Sequence, residues 1–351
     1  VSKKNNIPIV LHDALSMGRS YAADGKLNIS NKLFPTTVVG SYPVTKTLKF
    51  RSFLDPLHSA VERAVTDQIE AGIDIISDGQ VRGDMITVFT SQLPGIRGQV
   101  VGGKILPPAQ PVTLADTRYA LTRHPEVKGI LTGPSTLSHG LKIGSPMYRN
   151  RGELCIDLAH ALATEARALD RAGVTMIQID EPIFSTGIAD LDMGRKAIEI
   201  ITAEVKSPVA LHVCGELVDV IDEILAIPVD MFDFEFSVSQ ENLEVVSGKD
   251  LKGRLIGFGC VNTSDPAVES VATIEKRIEG GVRVFDIEQM VIDPDCGMRM
   301  LTRDSAFHKL KNMVDASRAM RIRYASTSDD SAGGGEFETL FGDQEGDNPL
   351  G

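Results

Sequence analysis

The chain has 351 residues, enough for one large domain or two of ordinary size, and α/β barrels commonly reach this length as a single domain. With 42% hydrophobic and 24% charged residues it has the composition of a soluble globular protein, and no apolar run approaches the roughly 18 residues of a membrane span. The formal net charge of −12 is uneven: the segment 326–351 carries −7, leaving −5 for 1–325, and no basic, aromatic-rich stretch points to nucleic acid.

Residues 1–33 read as an N-terminal extension, whose short apolar run is broken by Pro8, His12 and Asp13 and so does not resemble a signal peptide. The first strand is expected in "TTVVG" (36–40), followed by a helix over 56–71 and a second strand, "IDIISDG" (73–79). The Gly- and Pro-rich stretch 95–127 is too long for an ordinary connection and is expected to form an inserted hairpin or lid. The third strand is "GILTG" (129–133), and the clearest helix covers 152–172, with apolar residues at helical spacing and Gly173 placed as its stop. Then come a strand at 175–180, a helix at 192–205, the strand "PVALHVC" (208–214) and a helix at 217–226. The sixth and seventh strands are expected at 229–235 and 254–259, a helix at 265–280, the eighth strand at 289–297 and a last helix at 303–322. The Gly-, Ser- and acid-rich segment 326–351 cannot bury much surface and reads as a flexible acidic tail.

Eight strands alternating with helices argue for a single (β/α)8 TIM-type barrel over 34–325. A doubly wound open sheet is the rival, but no G-x-G-x-x-G follows the first strand. The reactive residue types fall at carboxyl ends of strands. Ser41 follows the first strand, Asp78 and Gln80 the second; Asp180 and Glu181 end the fourth, His212 and Cys214 the fifth, Glu235 the sixth; Asn262 follows the seventh and Cys296 ends the eighth. In a barrel these ends meet at one mouth, where active sites are built.

In "LHVCGEL" (211–217), His212 and Cys214 lie on the same face of a strand because side chains alternate. Two residues of rise separate them by roughly 6.5 Å, and zinc bonds of about 2.0–2.3 Å let both lean onto one ion. A lone H-x-C also suits a buried histidine beside a small hydrophobe. Cys296 and, as an oxygen ligand, Glu235 extend the set to one that zinc accepts. Only four cysteines, Cys155, Cys214, Cys260 and Cys296, in a chain without an evident signal peptide suggest a reducing cytoplasm.

Eight stretches in order, "FPTTVVGSYP", "RGDM", "LTGP", "QIDEP", "HVC", "FEFS", "GFG" and "DPDCG", resemble the C-terminal catalytic barrel of cobalamin-independent methionine synthase. The likeness runs over about 34–323, and the spacing agrees: Glu235 lies 21 residues past Cys214, and Cys296 lies 61 past Glu235. The resemblance implies one Zn2+ per chain held by His212, Cys214, Glu235 and Cys296, with homocysteine as substrate. Zinc deprotonates a bound thiol, and the thiolate is the nucleophile. The resemblance further implies that Asp180 takes the substrate ammonium, that Ser41 helps hold its carboxylate and that Met85 lines its thioether chain. The family's acidic residue in a His-Gly-Glu stretch is not matched; "SDGQ" stands there, so Asp78 or Gln80 is expected to substitute.

Three departures concern the methyl donor. The 33 leading residues are too short to replace the N-terminal barrel of the long enzymes, and "GFGCVNTSDP" has Ser264 where those enzymes carry a histidine thought to act as general acid. There is also no Trp to stack on a pterin. Demethylating a folate needs a positioned acid, because the leaving amine must be protonated. The expectation is therefore a short, archaeal-type enzyme that takes its methyl group from a methylcorrinoid, either methylcobalamin or a corrinoid protein. The alternatives are a methylcorrinoid enzyme acting on another thiol such as coenzyme M, a folate-dependent homocysteine methyltransferase, and a zinc-binding barrel without turnover.

Overall fold

The computed structural model describes residues 29–44, 55 and 57–332, with the side chains of 326–332 excepted. The elements are α1 (His58–Ala71), α2 (Met85–Thr90), β1 (Ile96–Arg97), β2 (Val100–Val101), α3 (Leu114–Arg123), β3 (Lys128–Thr132), α4 (Pro134–Gly140), β4 (Lys142–Ile143), α5 (Arg151–Ala172) and β5 (Met176–Asp180). They continue with α6 (Leu191–Thr202), β6 (Val209–Val213), α7 (Ile221–Leu225), β7 (Met231–Glu235), α8 (Glu241–Val246), β8 (Leu255–Val261), α9 (Val271–Val282), β9 (Met290–Pro294) and α10 (Arg303–Ala332).

Six strands form one parallel sheet in the order β3-β5-β6-β7-β8-β9. The ring is closed by the two segments read from sequence as the first strands. Thr36 bridges Ile292 of β9, and Ile76 bridges Val127 beside β3, both in parallel. Between them Ile75 N–H donates to Thr36 O at 2.9 Å. Eight parallel segments thus surround one axis, the (β/α)8 barrel expected. The first two make bridges rather than full ladders for a local reason: Pro35 has no N–H, and Thr36 N–H donates to the Asp74 carboxylate at 2.9 Å instead of to a strand.

Local chemistry sets the ends of the helices. Asn150 caps α5 by accepting from Glu153 N–H at 2.9 Å, while Glu153 Oε2 accepts from Arg149 N–H, and Gly173 closes the helix in the left-handed region. The inserted stretch contains the β1–β2 antiparallel hairpin, to which β4 adds in parallel, and then α3. The last helix runs to Ala332, into the segment expected as tail; 333–351 lie outside the described residues, as do 1–28 of the extension.

The barrel interior is layered. Met176, Ala210, Met231, Leu255 and Val291 form an apolar layer near the amino ends of the strands, with Ile29 packed against it. Two residues further along the same strands come Gln178, His212, Asp233, Gly257 and Asp293, because alternation returns each strand to the inner face. Four of these are polar, and with Lys128 of β3 they are buried. The mouth begins one layer higher, with Asp180, Cys214 and Glu235.

Candidate active site

His212, Cys214 and Cys296 offer ligand atoms that all lie within 4.8 Å of one another. Ligands on one tetrahedral zinc stand about 3.5–3.8 Å apart, so the three need only small rotations to share an ion. They are the one such group of three among the described residues. Both ring nitrogens of His212 are buried without a hydrogen-bond partner, the condition expected of a ligand awaiting its ion. Nδ1 lies 3.2 Å from Asp233 Oδ2, a charge contact too poorly aligned to count as a formed hydrogen bond. Asp233 thus claims Nδ1 and leaves Nε2 for the sulfurs. Gly257 makes room for it: a Cβ there would meet Asp233 Cβ at 2.8 Å.

The electrostatics favour a thiolate at Cys296. Neighbouring Cys214 and His212 hold its pKa well below that of an ordinary thiol, against the effect of burial. Cys214 is pushed up by the neighbouring Cys296 and by burial. Burial opposes charge on His212, but Asp233 and the two cysteines hold its pKa well above the usual value. Beneath them Asp293 is raised well above the carboxylate range by burial and by neighbouring Asp233.

Glu235 ends β7 but stands outside the three-residue cluster; its Oε1 accepts from Ser239 Oγ at 2.5 Å. Asp180 pairs in register with His212, so it adjoins the cluster. Burial raises its pKa to about 6, opposed by His212. Ser41, Asp78, Gln80 and Met85 line one cleft with Arg82, Val88 and Phe89. Ser41 and Gln80 both hold positive φ, 48° and 47°, and Ser41 Oγ donates to Gln80 Oε1 at 3.2 Å. Both residues hold a backbone conformation that side-chain-bearing residues adopt at some cost. Gly297 brings this turn onto the Cys296 loop, since a Cβ there would meet Ser41 Cβ at 2.7 Å.

Asn262 and Cys260 do not join the site. Asn262 Oδ1 caps its own turn by accepting from Ser264 N–H at 2.8 Å, and Cys260 is buried in β8. Sequence reading missed Lys128, Gln178, Asp233, Asp293 and Asp295. The last takes the N–H groups of Phe236, Ser237 and Val238 and so ties the Glu235 loop to the Cys296 loop. A signal was available: polar residues at the inward positions of otherwise apolar strands, as in "IQID" and "FDFE".

Fold and site together define a (β/α)8 barrel with an imidazole–thiolate cluster at the carboxyl mouth of its strands. The family profile described as "Cobalamin-independent synthase, Catalytic domain" matches residues 34–319, and the chain belongs to that family, as a methyltransferase. It is 44% identical over 313 residues to the methionine synthase of Methanocaldococcus jannaschii, covering 82% of this chain and 99% of that one. It is 29% identical to the 5-methyltetrahydropteroyltriglutamate–homocysteine methyltransferase of Lactiplantibacillus plantarum, over 84% of this chain and 43% of that longer one. A B12-independent methionine synthase from a Shewanella species has the same fold, with a TM-score of 0.72 at 22% identity, covering 84% of this chain and 99% of that one.

These findings correct the expected methyl donor, cofactor and partner. A methylcorrinoid, whether methylcobalamin or a corrinoid protein, does not fit a chain of the cobalamin-independent family. The inference from Ser264 failed for a physical reason. Ser264 is an exposed residue that does not line the cleft of Ser41 and Gln80, so its identity says little about the acids that cleft holds. Asp78 lines that cleft, and burial raises its pKa to about 7, the range of an imidazole.

Proposed function

We propose that the protein transfers a methyl group from a 5-methyltetrahydropteroyl (folate-type) donor to the thiol of homocysteine, giving methionine. The observation that carries this is the His212–Cys214–Cys296 cluster beside Asp180 at the barrel mouth. His212, Cys214 and Cys296 would hold Zn2+, with Glu235 as a fourth, displaceable ligand; the carboxylate already has a second partner in Ser239. Zinc so held supplies the Lewis acidity that keeps an incoming thiol ionised.

The remaining residues orient the amino acid and handle the proton. Asp180 takes the ammonium, Ser41 assists with the carboxylate, and Met85 packs along the thioether chain. Asp78 and Gln80 line the same cleft. Asp78, raised to about 7 by burial, is about half protonated at neutrality and is the proton source for the departing amine. No described helix is long and apolar enough to cross a membrane, and four free cysteines suit the reducing cytoplasm.

The test is methionine formation by purified protein with one equivalent of zinc and homocysteine, offered 5-methyltetrahydropteroyltriglutamate or methylcobalamin in parallel. Turnover with the folate, and its loss together with zinc in Cys296→Ser, is the expected result. Methionine from methylcobalamin alone would overturn the donor; full zinc and turnover in Cys296→Ser would overturn the ligand set.

A further inference from the structure

The residues assigned to the two ends of homocysteine come from opposite parts of the chain. Ser41 follows the first strand and Asp180 ends β5, and an amino-acid clamp works only if their spacing is held. One buried side chain touches both supports. Gln178 Nε2 donates to Asp180 Oδ1 at 2.6 Å and to Val39 O at 2.9 Å, two residues before Ser41. Its Oε1 accepts from Lys128 Nζ at 2.5 Å. Gln178 is wholly buried and Lys128 is 1% exposed, so neither exchanges partners with water.

The chemistry permits one orientation of the amide. A carboxylate and a peptide carbonyl only accept, so Nε2 must face Asp180 and Val39; an ammonium only donates, so Oε1 must face Lys128. Lys128 therefore locks the Gln178 amide, and the amide locks Asp180 and the Val39–Ser41 backbone at one separation. Among the described residues no hydrogen bond occupies Asp180 Oδ2, which is left for a ligand.

The geometry points to Gln178, locked by Lys128, as the positioning residue that sets homocysteine selectivity by spacing the ammonium and carboxylate ends of the clamp. This rests on the homocysteine reading of the mouth. None of these hydrogen bonds reaches His212, Cys214 or Cys296, so the network acts on amino-acid recognition rather than directly on zinc.

The experiment compares KM and kcat for homocysteine and for 4-mercaptobutyrate, which lacks the amino group, with 5-methyltetrahydropteroyltriglutamate as donor. Two variants are used. Gln178→Glu keeps a partner for Lys128 but replaces the donor facing Asp180 with an acceptor. Gln178→Met removes the amide from Asp180 and Val39 while Lys128 keeps its charge attraction to the buried Asp233 and Asp293. In each, KM for homocysteine should rise about tenfold or more, the worth of a hydrogen bond to a charged group. The loss should fall on KM rather than kcat, zinc content should hold, and preference for homocysteine over 4-mercaptobutyrate should shrink by the same factor. Equal loss on both thiols, or a fall in kcat alone, would overturn the inference. Asp180→Asn separates the two levels. If it abolishes the preference while the Gln178 variants keep it, only the positioning role falls. If the parent protein shows no preference, the clamp reading falls and this inference with it.

Discussion

Removing the carboxylate that faces His212 tests how the metal cluster is aimed. Asp233 Oδ2 lies 3.2 Å from Nδ1, both groups are buried, and neither side chain has a formed hydrogen bond. Without water to substitute, Asp233 alone selects which ring nitrogen carries the proton. Partners of this kind are worth about 10–100-fold in metal affinity, or about 1.4–2.7 kcal/mol. Asp233→Asn keeps an acceptor of the same shape and loses the charge, so zinc affinity should fall about tenfold. Asp233→Ala loses both and should fall about a hundredfold. Competition against a chromophoric chelator at pH 7.5 measures the series, with far-UV circular dichroism to show that each variant is folded. Folded Asp233→Ala binding zinc within about twofold of the parent would refute the orienting role. Equal losses in Asn and Ala would show that the charge, not the acceptor, is what matters.

Two further outcomes concern the mouth-forming turn at "LTGP". A Cβ at Gly133 would meet Glu181 Cδ at 2.2 Å, and Glu181 is pinned by Ser135 N–H, Thr136 N–H and Thr136 Oγ1 at 2.6–2.8 Å. Gly133→Ala should therefore destabilise the fold by about 3 kcal/mol or more; a urea midpoint unchanged from the parent would show that Glu181 can move aside freely. Glu181 should also shape stability against pH. Burial raises it from 4.5 to about 7, overcoming the hydrogen bonds from Thr136 and Ser135. A raised carboxyl pKa contributes stability that is full below the unfolded value and is lost as pH rises to the folded one. Relative to Glu181→Gln, the parent should lose up to about 3 kcal/mol between pH 4.5 and 8; parallel pH profiles for the two proteins would contradict it.

The barrel and its mouth were legible in the sequence because alternation and spacing are local properties. Six of the eight expected strands carry the parallel ladder, and His212, Cys214 and Cys296 fall at the ends of theirs. The short helices α2, α3, α4 and α8 were not expected; their 6 to 10 residues hold too few turns for a clear period. The methyl donor was misjudged because a missing residue type at one position was read as a missing function. Whether a cleft holds an acid depends on burial, which raises Asp78, and burial is a property of the folded chain. Tertiary structure alone decided the inner polar layer. Lys128, Gln178, His212, Asp233 and Asp293 are spread over 166 positions of sequence, and only closure of the strands around one axis puts them in contact. A sequence shows that such residues are out of place in apolar strands. What they are paired with depends on the register between strands, and that register is set by packing across the whole barrel.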